Sequence, residues 1–116
     1  RDEPPTIHGD GEQSRDFVYV EDVVQANLLA CVAPHEAAGE AYNVASGKRS
    51  SLNEMYTVLS KLLGKDLKPI FRSERKGDIR HSGADISKIR EKLGYEPEYD
   101  FENGIKEAIQ WYKEKL

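Results

Sequence analysis

The sequence predicts an α/β fold, helices packed on a few short strands, which amounts to α+β if the chain stands alone. Three observations carry this. Amphipathic segments recur, opened by small polar residues and closed by glycine or proline. The strand-like runs are short and scattered, enough for only an incomplete sheet. The length of 116 residues, with no internal repeat, low-complexity tract or linker, suits a single domain over 1–116.

Thr6 to His8 reads as a short extended piece before the glycine turn Gly9-Asp10-Gly11. Phe17 to Val20 is apolar, aromatic and β-branched, the composition of a short strand. Asp22 to Val32 is a helix, with Val23, Val24, Asn27, Leu28 and Cys31 recurring at helical spacing. Pro34 stops it, and His35 to Gly39 is a loop. Ala41 to Ala45 is a second strand, but its backbone groups need neighbours that the sequence does not obviously supply. Ser46-Gly47-Lys48 is a turn.

Ser51-Leu52-Asn53-Glu54 is a capping box: the serine oxygen accepts an early backbone N–H and the glutamate reaches back. The helix it opens runs to Leu63, with Leu52, Met55, Tyr56, Leu59, Leu62 and Leu63 on one face and Gly64 as a left-handed cap. Pro69 to Arg72 is extended. Asp85 can cap a helix ending at Leu93, with Gly94 as its stop and Pro97 in the following loop. Asp100 caps the last helix, whose buried stripe is Phe101, Ile105, Ala108, Ile109, Tyr112 and Leu116.

Composition removes several function classes. Charged residues make up 33% of the chain, yet the net charge is −4, which argues against the basic stripe of a nucleic-acid partner. A phosphate remains possible, because one arginine fork is enough to bind it. The single cysteine, Cys31, allows no disulfide within a monomer, and its apolar helical setting predicts a buried, inert thiol. No stretch is long and apolar enough to span a membrane, and no signal peptide pattern opens the chain, so a cytoplasmic location is the expectation. The first residue is Arg1, not Met, with Pro4-Pro5-Thr6-Ile7 close behind, so the expectation is a piece of something longer.

Two segments stand out for chemistry: Gly9-Asp10-Gly11-Glu12-Gln13-Ser14-Arg15-Asp16-Phe17-Val18-Tyr19-Val20 and Arg75-Lys76-Gly77-Asp78-Ile79-Arg80-His81-Ser82. Each sets a cation among small and acidic residues around a turn, which suits a phosphate and a sugar hydroxyl better than a core. The planar guanidinium of Arg15 can grip a diphosphate through two bonds. The alternative is a surface salt bridge to Asp16 or Glu21, and local pattern alone favours it. Arg75 can hold a phosphate while Asp78, across Gly77, accepts ribose hydroxyls. Spacing alone favours a solvated charged loop.

Other chemistries find no footing. His8, His35 and His81 are far apart and lack metal-ligand spacing. There is no Gly-x-Ser-x-Gly elbow, which argues against nucleophilic hydrolysis. Gly9-x-Gly11-x-x-Ser14 echoes half of a dinucleotide fingerprint but lacks the third glycine and a full preceding strand, so it is a false match. Tyr56, Tyr95, Tyr99 and Tyr112 fit helix faces or turns, and none has a lysine four residues later.

The first of the two segments, extended through Glu21-Asp22-Val23-Val24, resembles the stretch that opens the substrate-binding half of extended short-chain dehydrogenase/reductases. These are the NAD-dependent nucleotide-sugar epimerases and dehydratases. Ala41-Tyr42-Asn43-Val44-Ala45-Ser46-Gly47 and Ser51-Leu52-Asn53-Glu54 continue the likeness. Arg75 through Ser82, Ala84-Asp85-Ile86-Ser87-Lys88 and Leu93-Gly94-Tyr95-Glu96-Pro97 complete it over nearly the whole chain. Within the family these motifs look most like those of UDP-glucose and UDP-N-acetylglucosamine 4-epimerases.

The resemblance implies a C-terminal, UDP-sugar-binding portion of an extended Rossmann-type enzyme whose N-terminal Rossmann half is absent here. It implies that Arg15 and Arg75 hold the UDP diphosphate and Asp78 the ribose hydroxyls. Ile7 and His8 would lie along the uracil, mostly through backbone, and Val44 would pack near the nucleoside. Ser82 stands where a bulky tyrosine restricts some 4-epimerases to non-acetylated sugars, so a small residue implies room for a 2-acetamido group. The implied reaction is hydride transfer from C4 to NAD, rotation of the 4-keto sugar and hydride return to the other face. The Gly-rich NAD turn and the Tyr-x-x-x-Lys pair are not in this sequence, so this chain alone is expected to bind no NAD, to be inactive, and to expose apolar surface that promotes self-association. Two alternatives stay open: a nucleotide-sugar dehydratase, decarboxylase or reductase, and a stand-alone, non-catalytic nucleotide-sugar-binding or interaction module.

Overall fold

The chain folds into a slab of 51 × 34 × 18 Å, described over residues 3–115 in a computed structural model. Two small two-stranded sheets form its framework. β1 (Thr6–His8) pairs in parallel with β4 (Ile70–Arg72), placing Ile7 opposite Phe71. β2 (Ser14–Arg15) pairs antiparallel with β3 (Ser50–Ser51), and an isolated bridge joins Ser14 to His81. Four helices surround them: α1 (Val20–Cys31), α2 (Leu52–Leu63), α3 (Ser87–Leu93) and α4 (Phe101–Lys115).

Most caps follow the sequence, although among the described residues the Glu54 side chain makes no return bond to Ser51. Ser51 Oγ accepts from the Glu54 amide at 3.1 Å and starts α2, and Gly64, at φ 64°, ends it. Asp100 Oδ1 accepts from the Asn103 amide at 2.7 Å at the head of α4. Gly94, at φ 69°, closes α3. That helix starts later than expected, at Ser87, because Asp85 folds its carboxylate onto the Ser87 amide and hydroxyl.

Two expected strands do not form. Phe17 to Tyr19 is irregular and Val20 already opens α1. Its aromatic rings are used sideways: Phe17 packs on Phe101 at 5.3 Å and Tyr19 on Tyr99 at 4.7 Å between centroids. Ala41 to Ala45 runs without a partner strand. Side chains satisfy its carbonyls instead: Lys88 Nζ donates to Ala41 O at 3.0 Å and Tyr95 OH to Ala45 O at 2.9 Å. The loop expected at His35 to Gly39 contains a 3-10 turn, His35–Ala37.

The core is thin. Ala26, Ala45, Ile86, Ile89 and Tyr95 form its buried cluster, with Leu29, Tyr42, Val44, Ala84 and Leu93 packed around it. Burial of the Tyr95 ring raises its phenol pKa above the ordinary value.

The helix faces also depart from expectation. On α1 the buried residues are Asp22 and Ala26, whereas Val20, Val24, Leu28 and the adjoining Val32 are each more than half exposed. Cys31, expected to be buried, is exposed. The reason is that Asp22 turns inward: its two oxygens accept from the Glu98 amide at 2.8 Å and the Tyr99 amide at 3.2 Å. That rotation aims the apolar stripe outward. No residue of α2 is fully buried, and Leu63 is exposed. On α4 the buried residue is Gly104, which meets Tyr19, while Tyr112 is exposed. Leu116 lies outside the described residues.

Candidate functional site

The two segments singled out by chemistry meet in space. The Ser14 amide donates to Arg80 O at 2.9 Å, and the Ser82 amide donates back to Ser14 O at 3.0 Å. Ser14 Oγ lies 2.7 Å from His81 Nδ1. This stitch brings the 75–82 loop against the 9–16 segment. Between that seam and β1 opens a cleft of about 240 Å³, lined by Thr6, Ile7, His8, Gln13, Arg15, Leu52, Arg75 and Asp78.

The cleft joins Ile7, His8, Arg15, Arg75 and Asp78, residues separated widely in sequence. Arg15 Nη2 donates to Asp78 Oδ1 at 2.7 Å and Nη1 to the Ser14 carbonyl at 2.7 Å, which holds the guanidinium plane in place. The expected alternative partners are engaged elsewhere. Asp16 accepts from the Ser46 amide, the Ser46 hydroxyl and the Gly47 amide, and Glu21 accepts from Tyr99 OH at 2.6 Å. The bond to Glu21 pushes the Tyr99 pKa up to about 12.

Arg75 forms no ion pair among the described residues. It shares a turn with Asp78, whose amide donates to Arg75 O at 3.1 Å, and Gly77 supplies the positive φ of 80° that the turn requires. His8 directs its ring toward the Ser73 carbonyl at 3.4 Å, and its own carbonyl accepts from Gln13 Nε2 at 2.6 Å. The chemistry available is therefore two guanidinium groups for an anion, a carboxylate for hydroxyl donors, and a neutral strand edge.

Val44 and Ser82 do not line this cleft. Val44 packs against the core cluster, and Ser82 is half-buried on the seam beside Ser14. Gln13 was not singled out as a site residue, yet it lines the cleft and is buried. Its signal was only its place within the Gly9 to Val20 segment.

The glycine turn has a structural task. A Cβ on Gly11 would fall 2.1 Å from Asn53 Oδ1, because Asn53 docks there. Its amide donates to Gly11 O at 2.9 Å and its side chain to Asp10 O and Glu12 Oε1. The turn thus receives the head of α2. Asp10 is further clamped by Arg80 at 2.7 and 3.0 Å, a bond that lowers its pKa to about 2.

A larger groove of about 580 Å³ lies along Phe17, Lys48, Arg49, Pro97 and Phe101. Its charges are mixed, Lys48, Arg49 and Arg90 facing Glu54, Glu96, Glu98 and Glu102, and Arg90 pairs with Glu96 at 3.0 Å. Its size exceeds that of the smaller cleft, whereas Arg75, without an ion-pair partner among the described residues, favours the smaller cleft for an anion.

Among known proteins, the family model for GDP-mannose 4,6 dehydratase matches residues 1–108. The structure is similar to the UDP-glucose 4-epimerase of Thermotoga maritima with UDP-glucose, at TM-score 0.90 and 39% identity over 97% of this chain and 36% of that one. It is similar to the UDP-N-acetylglucosamine 4-epimerase of Methanobrevibacter ruminantium in complex with UDP-N-acetylmuramic acid, at TM-score 0.89 and 38% identity over 97% of this chain and 36% of that one. A mutant UDP-glucuronic acid 4-epimerase of Bacillus cereus, in complex with UDP-4-deoxy-4-fluoro-glucuronic acid and NAD, matches at TM-score 0.92 and 30% identity over 99% of this chain and 37% of that one. The chain spans about a third of the length of the curated relatives it matches, which are epimerases and dehydratases of nucleotide sugars.

Proposed function

Because the chain belongs to the nucleotide-sugar epimerase and dehydratase family of extended short-chain dehydrogenase/reductases, we propose that it is the substrate-binding portion of an NAD-dependent UDP-sugar 4-epimerase. The observation that carries this reading is the convergence of Arg15, Arg75 and Asp78 with the β1 edge in one cleft. Arg15 and Arg75 hold the diphosphate. Asp78 keeps one oxygen on Arg15 and offers the other to a ribose hydroxyl. Ile7 and His8 present backbone to the uracil. Val44 supports from the core and makes no direct contact.

NAD, when bound, supplies the hydride acceptor for C4 of the sugar. Asn53 packs directly over Gly11 of this chain's glycine turn and bonds to Asp10 O, which supports a structural role for the turn in place of a cofactor cradle. We assign NAD and the proton-transfer residues to another part of the protein. This chain's share of the reaction is to fix the nucleotide so that the sugar can turn on its diphosphate while staying bound.

Ser82 is assigned as the sugar-size gate. Its small side chain leaves room for a 2-acetamido group that a tyrosine ring would occupy, so acetylated and non-acetylated UDP-hexoses are both substrates. A dehydratase reading is kept because the matching family model carries a dehydratase name.

Product analysis tests the proposal. The full-length protein with NAD is expected to interconvert UDP-glucose and UDP-galactose, and UDP-N-acetylglucosamine with its 4-epimer. Ser82→Tyr is expected to remove only the second activity. Release of a 4-keto-6-deoxy sugar nucleotide would replace the epimerase reading with the dehydratase one. Turnover by the 116-residue chain alone with added NAD would contradict the division of labour.

A further inference from the structure

The loop that carries Arg75 and Asp78 is exposed along its whole length, every residue from 71 to 80 included, with Ile79 at 61%. Polar ties to the 9–16 segment hold it beyond β4: the backbone seam and the His81 ring at Ser14, Arg15 on Asp78, and Arg80 on Asp10. Arg15 and Asp78 face the cleft, so their contact must adjust when a ligand enters. The Arg80 tie lies outside the cleft lining and need not. Its Nη1 donates to Asp10 Oδ1 at 2.7 Å and its Nη2 to Oδ2 at 3.0 Å, a two-bond fork. Asp10 is itself fixed at both ends. Its Oδ1 accepts from the Glu12 amide at 2.9 Å, and its carbonyl accepts from Asn53 Nδ2 at 3.1 Å. A continuous path thus runs from the head of α2 through Asn53 and Asp10 to Arg80, just past Asp78.

We infer that Arg80 is a positioning residue: through Asp10 it ties the loop to the head of α2 and so sets Arg75 and Asp78 at the cleft for a nucleotide. This rests on the nucleotide reading above. Arg80 is poorly placed to bind the diphosphate itself. Its guanidinium is taken up by Asp10, and the nearby Glu12 and Glu74 are acidic as well, a setting that repels an anion. The pair is half-exposed, at 48% and 57%, so it contributes little to folding. Its effect is on local order. A loop that samples several positions binds with an affinity reduced by the fraction of molecules in the competent one, and the fork on Asp10 removes the other positions.

Calorimetric titration of the full-length protein with UDP tests this in Arg80→Ala, Asp10→Ala and the double variant. Each single substitution is expected to weaken UDP binding about fivefold, the scale of one well-aligned surface pair. The double variant should bind no more weakly than the singles, because both remove the same tie. The melting temperature should move by only a few degrees. A direct contact gives the opposite sign for Asp10. If Arg80 touched the diphosphate, Asp10→Ala would free it and tighten UDP binding. That result would overturn the proposal, as would unchanged affinity in the folded single variants. Asp10→Asn, nearly isosteric, carries the same test if an alanine variant fails to fold: weaker UDP binding is expected, and unchanged or tighter binding overturns the proposal. If Arg15→Ala weakens UDP binding while the Asp10 and Arg80 variants do not, the positioning role falls and the nucleotide reading survives. No binding of UDP by the unaltered protein would remove both.

Discussion

Arg15 and Asp78 are 63 positions apart in sequence, yet the guanidinium donates to the carboxylate at 2.7 Å. The contact joins the two segments whose composition suggested phosphate and hydroxyl binding. Both side chains are about 30% exposed, at 27% and 30%. A pair so placed contributes little to stability, typically below about 1 kcal/mol. Its value is positional: it sets an arginine plane beside a carboxylate at the mouth of one cleft.

Arg15→Ala and Asp78→Asn should therefore separate binding from folding. The melting temperature is expected to move by only a few degrees, on the order of 1 kcal/mol. UDP affinity, read by calorimetry, should fall about tenfold or more for Arg15→Ala, the loss of a charge-assisted bond. Unchanged affinity in a folded variant would remove Arg15 from the site.

Two glycines with the same backbone angle should respond differently. Gly11 and Gly77 have φ near +80°, at 79° and 80°, but only Gly11 has Asn53 where its Cβ would go. Gly77→Ala is expected to cost about 1 kcal/mol from backbone strain alone. Gly11→Ala should cost on the order of 3 kcal/mol, since the Asn53 dock must also break. Chemical denaturation of the two variants measures the difference.

Acid should weaken the clamp between Asp10 and Arg80. Hydrogen bonding from Arg80 holds the Asp10 pKa at about 2, below its ordinary 3.8. A depressed folded-state pKa means that the stabilisation is complete above the unfolded value and is lost as pH falls from about 4 through about 2. Thermal melts across that window should show Asp10→Asn losing less stability with acid than the unaltered chain. Parallel losses would show that Asp10 is not the titrating contact.

The exposed stripe of α1 should drive association of the isolated chain. Val20, Val24, Leu28 and Val32 recur every four residues and are all more than half exposed. Replacing Val24 and Leu28 with Lys is expected to leave the melting temperature nearly unchanged, because neither is in the core. Sedimentation at high concentration should shift from larger species toward monomer. A strict monomer before any substitution would count against the idea.

Local chemistry was legible in the sequence. Ser51, Gly64, Gly94 and Asp100 each act within a few residues of their own position, so they cap helices as read. The strands at Phe17 to Val20 and Ala41 to Ala45 were misread because β propensity reports a surface that fits a sheet, without guaranteeing a neighbour. The α1 face was misread because its apolar periodicity is real but Asp22, an unlikely residue for a core, is what turns inward to hold the 98–99 backbone. In the site, residue types pointed to Arg15, Arg75 and Asp78 as candidates, though spacing favoured blander readings. The seam at Ser14, with the Arg15–Asp78 and Arg80–Asp10 pairs, brings them together, and no local pattern encodes that pairing.

The central claim is that UDP occupies the cleft between β1 and the 75–82 loop. Adding UDP to isotope-labelled chain while following backbone amide resonances tests it directly. The account predicts that Ile7, His8, Arg15, Arg75 and Asp78 shift together and saturate. Shifts confined to Lys48, Arg49 and Phe101 in the larger groove, or no shifts at millimolar UDP, would contradict it.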